Sequence, residues 1–371
     1  MGENTLKSRV YERKVLKSDW KFTLAELRVK NTILMIFIHA MGLYGLSYIT
    51  NISWGVFFYG MSLWIFSGFG ITAGYHRMWS HKSFKAKLPL RLFLLFWGTM
   101  AGEGSVIWWC RDHRIHHPYS ETEADPHNAE RGIFYSHIGW LLVKRPKEVL
   151  EAGKKVDLTD LKADPFLRWQ HQIYTPLSLF VSYFIPCYLG SFFTDDIKGL
   201  FWFACAFRHM WTLNCTFTVN SLAHFIGERD YDSRVSGTEN LAVSILALGE
   251  GHHNYHHKYP YDWKTSEHMF CVNPTAWFIK AMSIIGLAYD LKEASHDNVQ
   301  RGLKRSQLYN SLKDAESELK SLKTPPSETE IAKFINETDL ELKMKFKTYD
   351  MSLREIRHTV QERMESFMKV A

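Results

Sequence analysis

Trp54-Gly-Val-Phe-Phe-Tyr-Gly-Met-Ser-Leu-Trp-Ile-Phe-Ser-Gly-Phe-Gly-Ile-Thr-Ala-Gly-Tyr-His-Arg-Met-Trp-Ser-His81 sets an uncharged apolar stretch directly against a polar run with two imidazoles. Residues 54–73 are long and apolar enough to cross the roughly 30 Å of a bilayer's hydrocarbon as a helix. A crossing helix that delivers His76 and His81 at one end points to a membrane protein whose chemistry sits just outside the bilayer. Residues five apart diverge on an unbroken α-helix. The spacing therefore predicts that this span ends or bends between the two histidines.

Working outward, residues 32–49, 174–193 and 200–219 form three more such segments. Thr50-Asn-Ile-Ser53 joins the first two spans and Thr194-Asp-Asp-Ile-Lys-Gly199 the last two, links so short that the four helices can only form two hairpins. The links nearly lack Lys and Arg, whereas the N-terminal arm, the middle section and the C-terminal section are rich in them. That asymmetry places those three sections in the cytoplasm. Lys7, Arg9, Arg13, Lys14, Lys17 and Lys21 read as orientation signals and contacts to anionic lipids. A further apolar run, residues 88–101, is broken by Arg91. Counting it as a fifth span would put the histidines on opposite faces, so it is assigned to a cap or interfacial helix.

The average composition hides this pattern, since a mean hydropathy of −0.22 over 371 residues would also fit a soluble protein. The net charge of +6 is not arranged as a basic stripe interleaved with stacking aromatics, which excludes nucleic acid as a partner. Cys110, Cys187, Cys205, Cys215 and Cys271 are scattered and make neither a disulfide framework nor a CxxC metal site. The N-terminus lacks the apolar core of a cleavable signal, so the first span would direct insertion. Asn51-Ile-Ser53 spells a glycosylation sequon but abuts two membrane helices. The organisation expected is an arm over residues 1–30, a membrane domain over 31–298 and a charged helical extension over 299–371. In that extension Leu308, Leu312, Ala315, Leu319 and Leu322 make one helical stripe that Pro325-Pro326 ends, read as a surface helix.

The polar clusters carry the chemistry. Besides His76 and His81 they are His113-Arg-Ile-His116-His117, Asn220-Ser-Leu-Ala-His224 and His253-Asn-Tyr-His256-His257. Residues at i, i+3 and i+4 share a helix face, so each HxxHH run is expected to present three imidazoles to one point. Nine imidazoles and a carboxamide suffice for two first-row transition-metal sites, although imidazole alone does not separate iron, zinc, copper and nickel. The absence of thiolates argues against a cysteine-rich structural zinc site. Asp112, Glu121, Asp125, Glu228 and Glu250 are suitable acceptors for the second ring N–H groups. His127 and His252 lie close to the clusters but off their pattern, and His39, His137, His171, His209, His268, His296 and His358 are isolated; all are left out of the ligand set. A zinc transporter or receptor would place polar ligands at mid-bilayer, whereas these flank the spans.

Ile71-Thr-Ala-Gly-Tyr-His-Arg-Met-Trp-Ser-His81, Arg111-Asp-His-Arg-Ile-His-His117, Asp125-Pro-His-Asn128, Ser136-His-Ile-Gly-Trp140 and Gly249-Glu-Gly-His-His-Asn-Tyr-His-His257 together resemble the membrane acyl-CoA desaturases of the stearoyl-CoA, or delta-9, type, from about residue 30 to 290. The resemblance implies an all-α membrane protein: four transmembrane helices in two hairpins, a helical cytosolic cap housing a di-metal centre of two iron ions, and a bent acyl tunnel. It assigns the nine histidines and Asn220, the latter through a water, to the metals. It assigns Asn31, Arg111, Asp112, Lys144 and Arg145 to the CoA thioester, cations suiting phosphates. Trp64 and Gly68 fall near the closed end of the tunnel. Two departures bear on the tunnel: Glu103-Gly104 stands where animal members carry an amide pair, and Phe217 where they carry Trp.

The implied reaction places a cis double bond, at delta-9 of a C16–C18 acyl-CoA, with O2 as oxidant, in the endoplasmic reticulum membrane with both termini and the metal centre cytosolic. Removing hydrogen from an unactivated methylene needs an oxidant that no side chain supplies. The chain has no HPGG-type haem motif, and neither haem nor flavin is expected in it, so electrons would come from a separate cytochrome b5 and its reductase. The lack of a fused b5, and His253 in place of Gln, argue against a front-end desaturase. The alternative within the same chemistry is a fatty acyl or lipid hydroxylase.

Overall fold

Residues 54–80 fold as one helix of 27 residues, about 40 Å long, in the computed structural model, which describes residues 23–321. Its last eleven residues, Gly70–Ser80, are wound as a π-helix. The helix ends at Ser80, between His76 and His81, as the spacing predicts. It also widens before it ends, the His81 N–H donating to the His76 carbonyl at 3.1 Å, and i→i+5 closure puts residues five apart on the same side. The basic N-terminal arm and the segment carrying Pro325-Pro326 lie outside the described residues, as do the side chains of the Leu308 to Leu322 stripe. The chain divides into two units, residues 1–299 and 300–371, and the helix His296–Ser321 leads from one into the other.

Most of the described residues of the first unit are helical or in loops; apart from isolated bridges, the strand pairing among them is the two-residue antiparallel one of Lys85–Ala86 with Ala288–Tyr289. Among the described residues two single helices are long and apolar enough to cross a membrane, Val29–Leu46 and Trp54–Ser80. Only 17% of the first is buried inside the protein against 50% of the second, so the first is the outer one. Two sharply bent helix pairs are apolar enough to count only if each pair is taken as one broken span: Leu88–Ala101 with Val106–Tyr119, turned by 83°, and Pro165–Gln172 with Tyr174–Gly190, turned by 87°.

Residues 200–220 are helical as well, yet their hydropathy does not mark them as a span. Arg208, His209 and Asn214 lower it. The helix tolerates them because it lies inside, packed against both Val29–Leu46 and Trp54–Ser80. Arg208 is fully buried and donates to the carbonyls of Met100 and Ser182 at 2.9 and 2.8 Å. Met100 sits at the carboxyl end of Leu88–Ala101, where the helix dipole favours a cation.

Leu88–Ala101 spans about 21 Å, too short for the hydrocarbon. It lies against Trp54–Ser80 so closely that a Cβ on Gly70 would meet the Gly98 nitrogen at 2.0 Å. Gly102 stops it in a left-handed conformation, φ 82°, and a Cβ there would strike His209 Nε2 at 2.1 Å. Among the described residues, a small apolar core around Ala223, Val243 and Ala247 and two large ones result. One, around Val56, Leu63, Met100, Leu200 and Phe203, holds the long helices together. The other, around Tyr75, Trp79, Leu94, Val106, Leu161 and Trp263, holds the π-helical end of Trp54–Ser80 in the cap. Each fully buried side chain of this size contributes about 1.5–3 kcal/mol.

Candidate metal centre and cavity

The nine imidazoles gather into two groups whose ligand atoms lie within 4.8 Å of one another: His76, His81, His113, His117 and His256 in one, and His116, His224, His253 and His257 in the other. Each HxxHH run is split between them, correcting the expectation of three imidazoles at one point. On an α-helix His113 and His117 stand one above the other, while His116 and His117, being adjacent, are about 100° apart. His253 and His257 likewise share the second group and His256 joins the first. The π-helix performs the matching task for His76 and His81, whose ring centroids are 4.9 Å apart.

Within the first group Nε2 atoms approach at 2.9 Å for His76 and His256, 2.7 Å for His81 and His113, and 3.0 Å for His117 and His256. In the second, His224 and His257 each lie 3.0 Å from His253, and His116 lies 3.3 Å from His257. Carboxylates fix the tautomer of two rings, His116 Nδ1 lying 2.9 Å from Asp125 and His224 Nδ1 2.8 Å from Glu121, which leaves each Nε2 a bare lone pair. His76 Nδ1 lies 2.7 Å from Glu250, a close charge contact. Asp112 and Glu228 do not serve this way. Asp112 faces arginines, and Glu228 pairs through its backbone with Glu239.

Burial and the neighbouring imidazoles hold His81, His113, His117, His253, His256 and His257 well below the ordinary imidazole value. Burial also presses on His116, but Asp125 more than offsets it and the ring is raised. Imidazole nitrogens crowded on a common point are a donor set that fits first-row transition metals.

A cavity of about 500 Å³ runs past the first group, bordered by His113 and Asn220. At its polar part stand Arg28, Asn31, Arg111, Asp112 and Arg145. Arg145 holds Asp112 in a two-point pair at 2.7 and 2.5 Å, and Arg111 adds a contact at 3.0 Å. Burial would raise the Asp112 carboxyl, but these arginines keep it below its ordinary value. Its apolar part is walled by Leu34, Met35, Leu213 and Phe217. Of the remaining residues singled out from the sequence, Lys144 turns away to the Ala25 carbonyl at 2.9 Å. Trp64 packs edge-on against Trp211, and Gly68 lies under Leu248; neither borders the cavity.

Several wall residues had no signal in spacing. Trp109, Tyr174 and Thr216 come from three different elements. His127 sits 5.1 Å ring to ring from His116 and 4.7 Å from Trp140; the sequence hinted at it through its proximity to the HxxHH run and its place in Asp125-Pro-His-Asn128.

A family model described as "Fatty acid desaturase" matches residues 52–266. The chain is 44% identical over 278 residues to a stearoyl-CoA desaturase of Homo sapiens, across 75% of this chain and 77% of the relative. It is 43% identical over 278 residues to an acyl-CoA desaturase of Ovis aries, with the same coverage, and 43% identical over 283 residues to stearoyl-CoA desaturase 2 of Mus musculus, across 75% and 78%. The matched residues carry all nine clustered histidines and the turn at Glu103, so site and similarity coincide, and the chain belongs to the fatty acid desaturase family.

Proposed function

We propose that this chain introduces a cis double bond at delta-9 of a C16–C18 fatty acyl-CoA, using O2 and electrons from a separate cytochrome b5 and its reductase. The observation that carries this reading is that one cavity is lined by arginines, by His113 and Asn220, and by apolar side chains together. Arg28, Arg111 and Arg145 suit the phosphates of CoA, with Asn31, Asp112 and Lys144 near the same mouth. Phe217 supports the chain where it passes the imidazoles; the family resemblance puts Trp64 and Gly68 near the closed end of the chain's path, outside the residues that line this cavity.

His76, His81, His113, His117 and His256 would hold one iron ion, and His116, His224, His253 and His257 the other, with Asn220 acting through water. Such a pair supplies, when bound, the oxidant that an unactivated C–H bond requires. The protein's own part is to fix the methylenes beside His113, to keep water out with Trp109 and Phe217, and to keep the imidazoles neutral. In this reading the helices Val29–Leu46, Trp54–Ser80, Tyr174–Gly190 and residues 200–220 cross the endoplasmic reticulum membrane as two hairpins. Leu88–Ala101 lies at the lipid interface, and both termini and the metal pair are cytosolic.

The test is expression in cells unable to make unsaturated fatty acids, followed by mass spectrometry of derivatised products, with His256→Ala alongside. New delta-9 monoenes that vanish in the variant are expected. Hydroxylated acids would move the reading to a hydroxylase, and no product with b5 supplied would overturn acyl-CoA as substrate.

A further inference from the structure

Glu103 occupies the turn between Leu88–Ala101 and Val106–Tyr119, and its carboxyl borders the cavity. Oε2 accepts the Trp109 indole N–H at 3.0 Å and Oε1 accepts the Thr216 hydroxyl at 2.7 Å. Trp109 belongs to the helix of His113 and stacks on that ring, centroids 5.0 Å apart; Thr216 belongs to the inner helix that ends at Asn220. One carboxyl thus bridges two walls at the level of the imidazoles.

Among the described residues no lysine or arginine pairs with it. From Val106–Tyr119, Arg111 is turned to Asp112, and the Arg145 guanidinium is committed to the same carboxylate. From the inner helix come Cys215, a buried thiol, and His209, which lies behind Gly102 with its Nδ1 on the Tyr183 hydroxyl at 2.9 Å. The Tyr174 hydroxyl takes the Gly104 N–H at 2.8 Å, and the first helix presents Leu34 and Met35. Burial pushes the Glu103 carboxyl up to about 7, the bonds from Thr216 and Trp109 lowering it only in part. A carboxylate without a cation is costly to strip of water, whereas the neutral acid is far less so. A chain of methylenes filling this cavity does that stripping.

We propose that Glu103 is a proton-linked selector of the acyl chain: methylenes enter against the neutral acid and are resisted by the carboxylate, so that binding takes up one proton from solvent. The inference rests on the acyl-CoA reading above. Because the bound pKa lies above the free one, affinity is full below about pH 7 and falls as pH rises beyond it.

The test uses the full, metal-loaded chain in lipid nanodiscs without an electron donor. The dissociation constants of stearoyl-CoA and of CoA alone are measured from pH 6 to 8.5. CoA shares the phosphates and the arginine mouth but has no chain, so its profile isolates their titration. In the wild type, stearoyl-CoA is expected to weaken on the order of tenfold more than CoA between pH 6.5 and 8.5; in Glu103→Gln the two profiles run parallel. Thr216→Val, which removes one donor to the carboxylate, shifts the midpoint upward and serves if Glu103→Gln misassembles. Infrared difference spectra at pH 7.5 should gain a protonated-carboxyl band when the chain binds, absent in Glu103→Gln. Equal slopes for wild type and Glu103→Gln would overturn the selector alone; failure to bind stearoyl-CoA at any pH would overturn the acyl-CoA reading with it.

Discussion

Glu250 Oε2 lies 2.7 Å from His76 Nδ1, while its other oxygen takes two hydrogen bonds from Arg77 at 3.1 and 2.9 Å. Burial would raise this carboxyl, but Arg77 and His76 hold it at about 2. The carboxylate therefore orients His76 and is itself anchored by a fully buried guanidinium. Replacing Glu250 by Gln removes the charge and keeps the shape. Metal affinity should fall by about 10–100-fold, read as lost metal content in the purified protein with little change in its helical circular dichroism. Unchanged metal content would show that the contact is not what orients the ring.

Gly70→Ala should destabilise the fold at the upper end of the roughly 1–3 kcal/mol typical of overpacking. The new Cβ meets backbone, the Gly98 nitrogen at 2.0 Å, and neither helix can yield by a rotamer change. Gly55→Ala is the matched control in the same helix, with nothing nearer than 3.6 Å. Thermal unfolding in detergent should separate the two variants clearly.

The apolar length of residues 54–73 and the HxxHH runs made a helical membrane protein with clustered imidazoles legible from the sequence. Two things were not. A π-helix has no signature in composition, and only the five-residue gap from His76 to His81 hinted at a departure from α geometry. The division of His116 from His117 follows from 3.6-residue periodicity, but which partner each ring meets depends on how Val106–Tyr119 and His253–Lys258 cross, which is a matter of tertiary packing. Residues 200–219 read as apolar from the sequence and are helical, although the sequence does not show that Arg208 is buried and donates to two carbonyls.

Arg145→Ala should raise KM for acyl-CoA by about ten- to a hundredfold, with kcat changed far less. Arg145 supplies two of the contacts that balance Asp112, and it stands at the polar part of the cavity, away from the apolar wall. Losing one partner of a buried pair leaves the other charge uncompensated, and interactions made equally in ground and transition states appear in KM. Steady-state kinetics against stearoyl-CoA checks this, and a fall in kcat with constant KM would contradict it.

Asp160 ties Lys82 and Arg114 to the surface of the cap, its oxygens 3.0 and 2.8 Å from their nitrogens. Partial burial raises this carboxyl, but the two cations more than offset it and bring it to about 2. A folded-state pKa below the unfolded value of about 3.9 contributes stability that is complete above that value and lost as pH falls toward 2. The difference in melting temperature between wild type and Asp160→Asn should thus be constant from pH 8 to 5 and shrink below pH 4. Solvent screening limits it to no more than about 1 kcal/mol.

Chelating the metals should lower the melting temperature, because ions that bind only the folded protein stabilise it by mass action. Without them, lone pairs such as those of His76 and His116 face neighbouring rings across 2.9 and 3.3 Å. Adding back either ferrous iron or zinc should restore the melting temperature, since imidazole accepts both, but only iron should restore desaturation, because zinc has no redox chemistry. Recovery of activity with zinc would contradict an iron centre, and a melting temperature indifferent to chelation would mean that the two histidine groups hold together without metal.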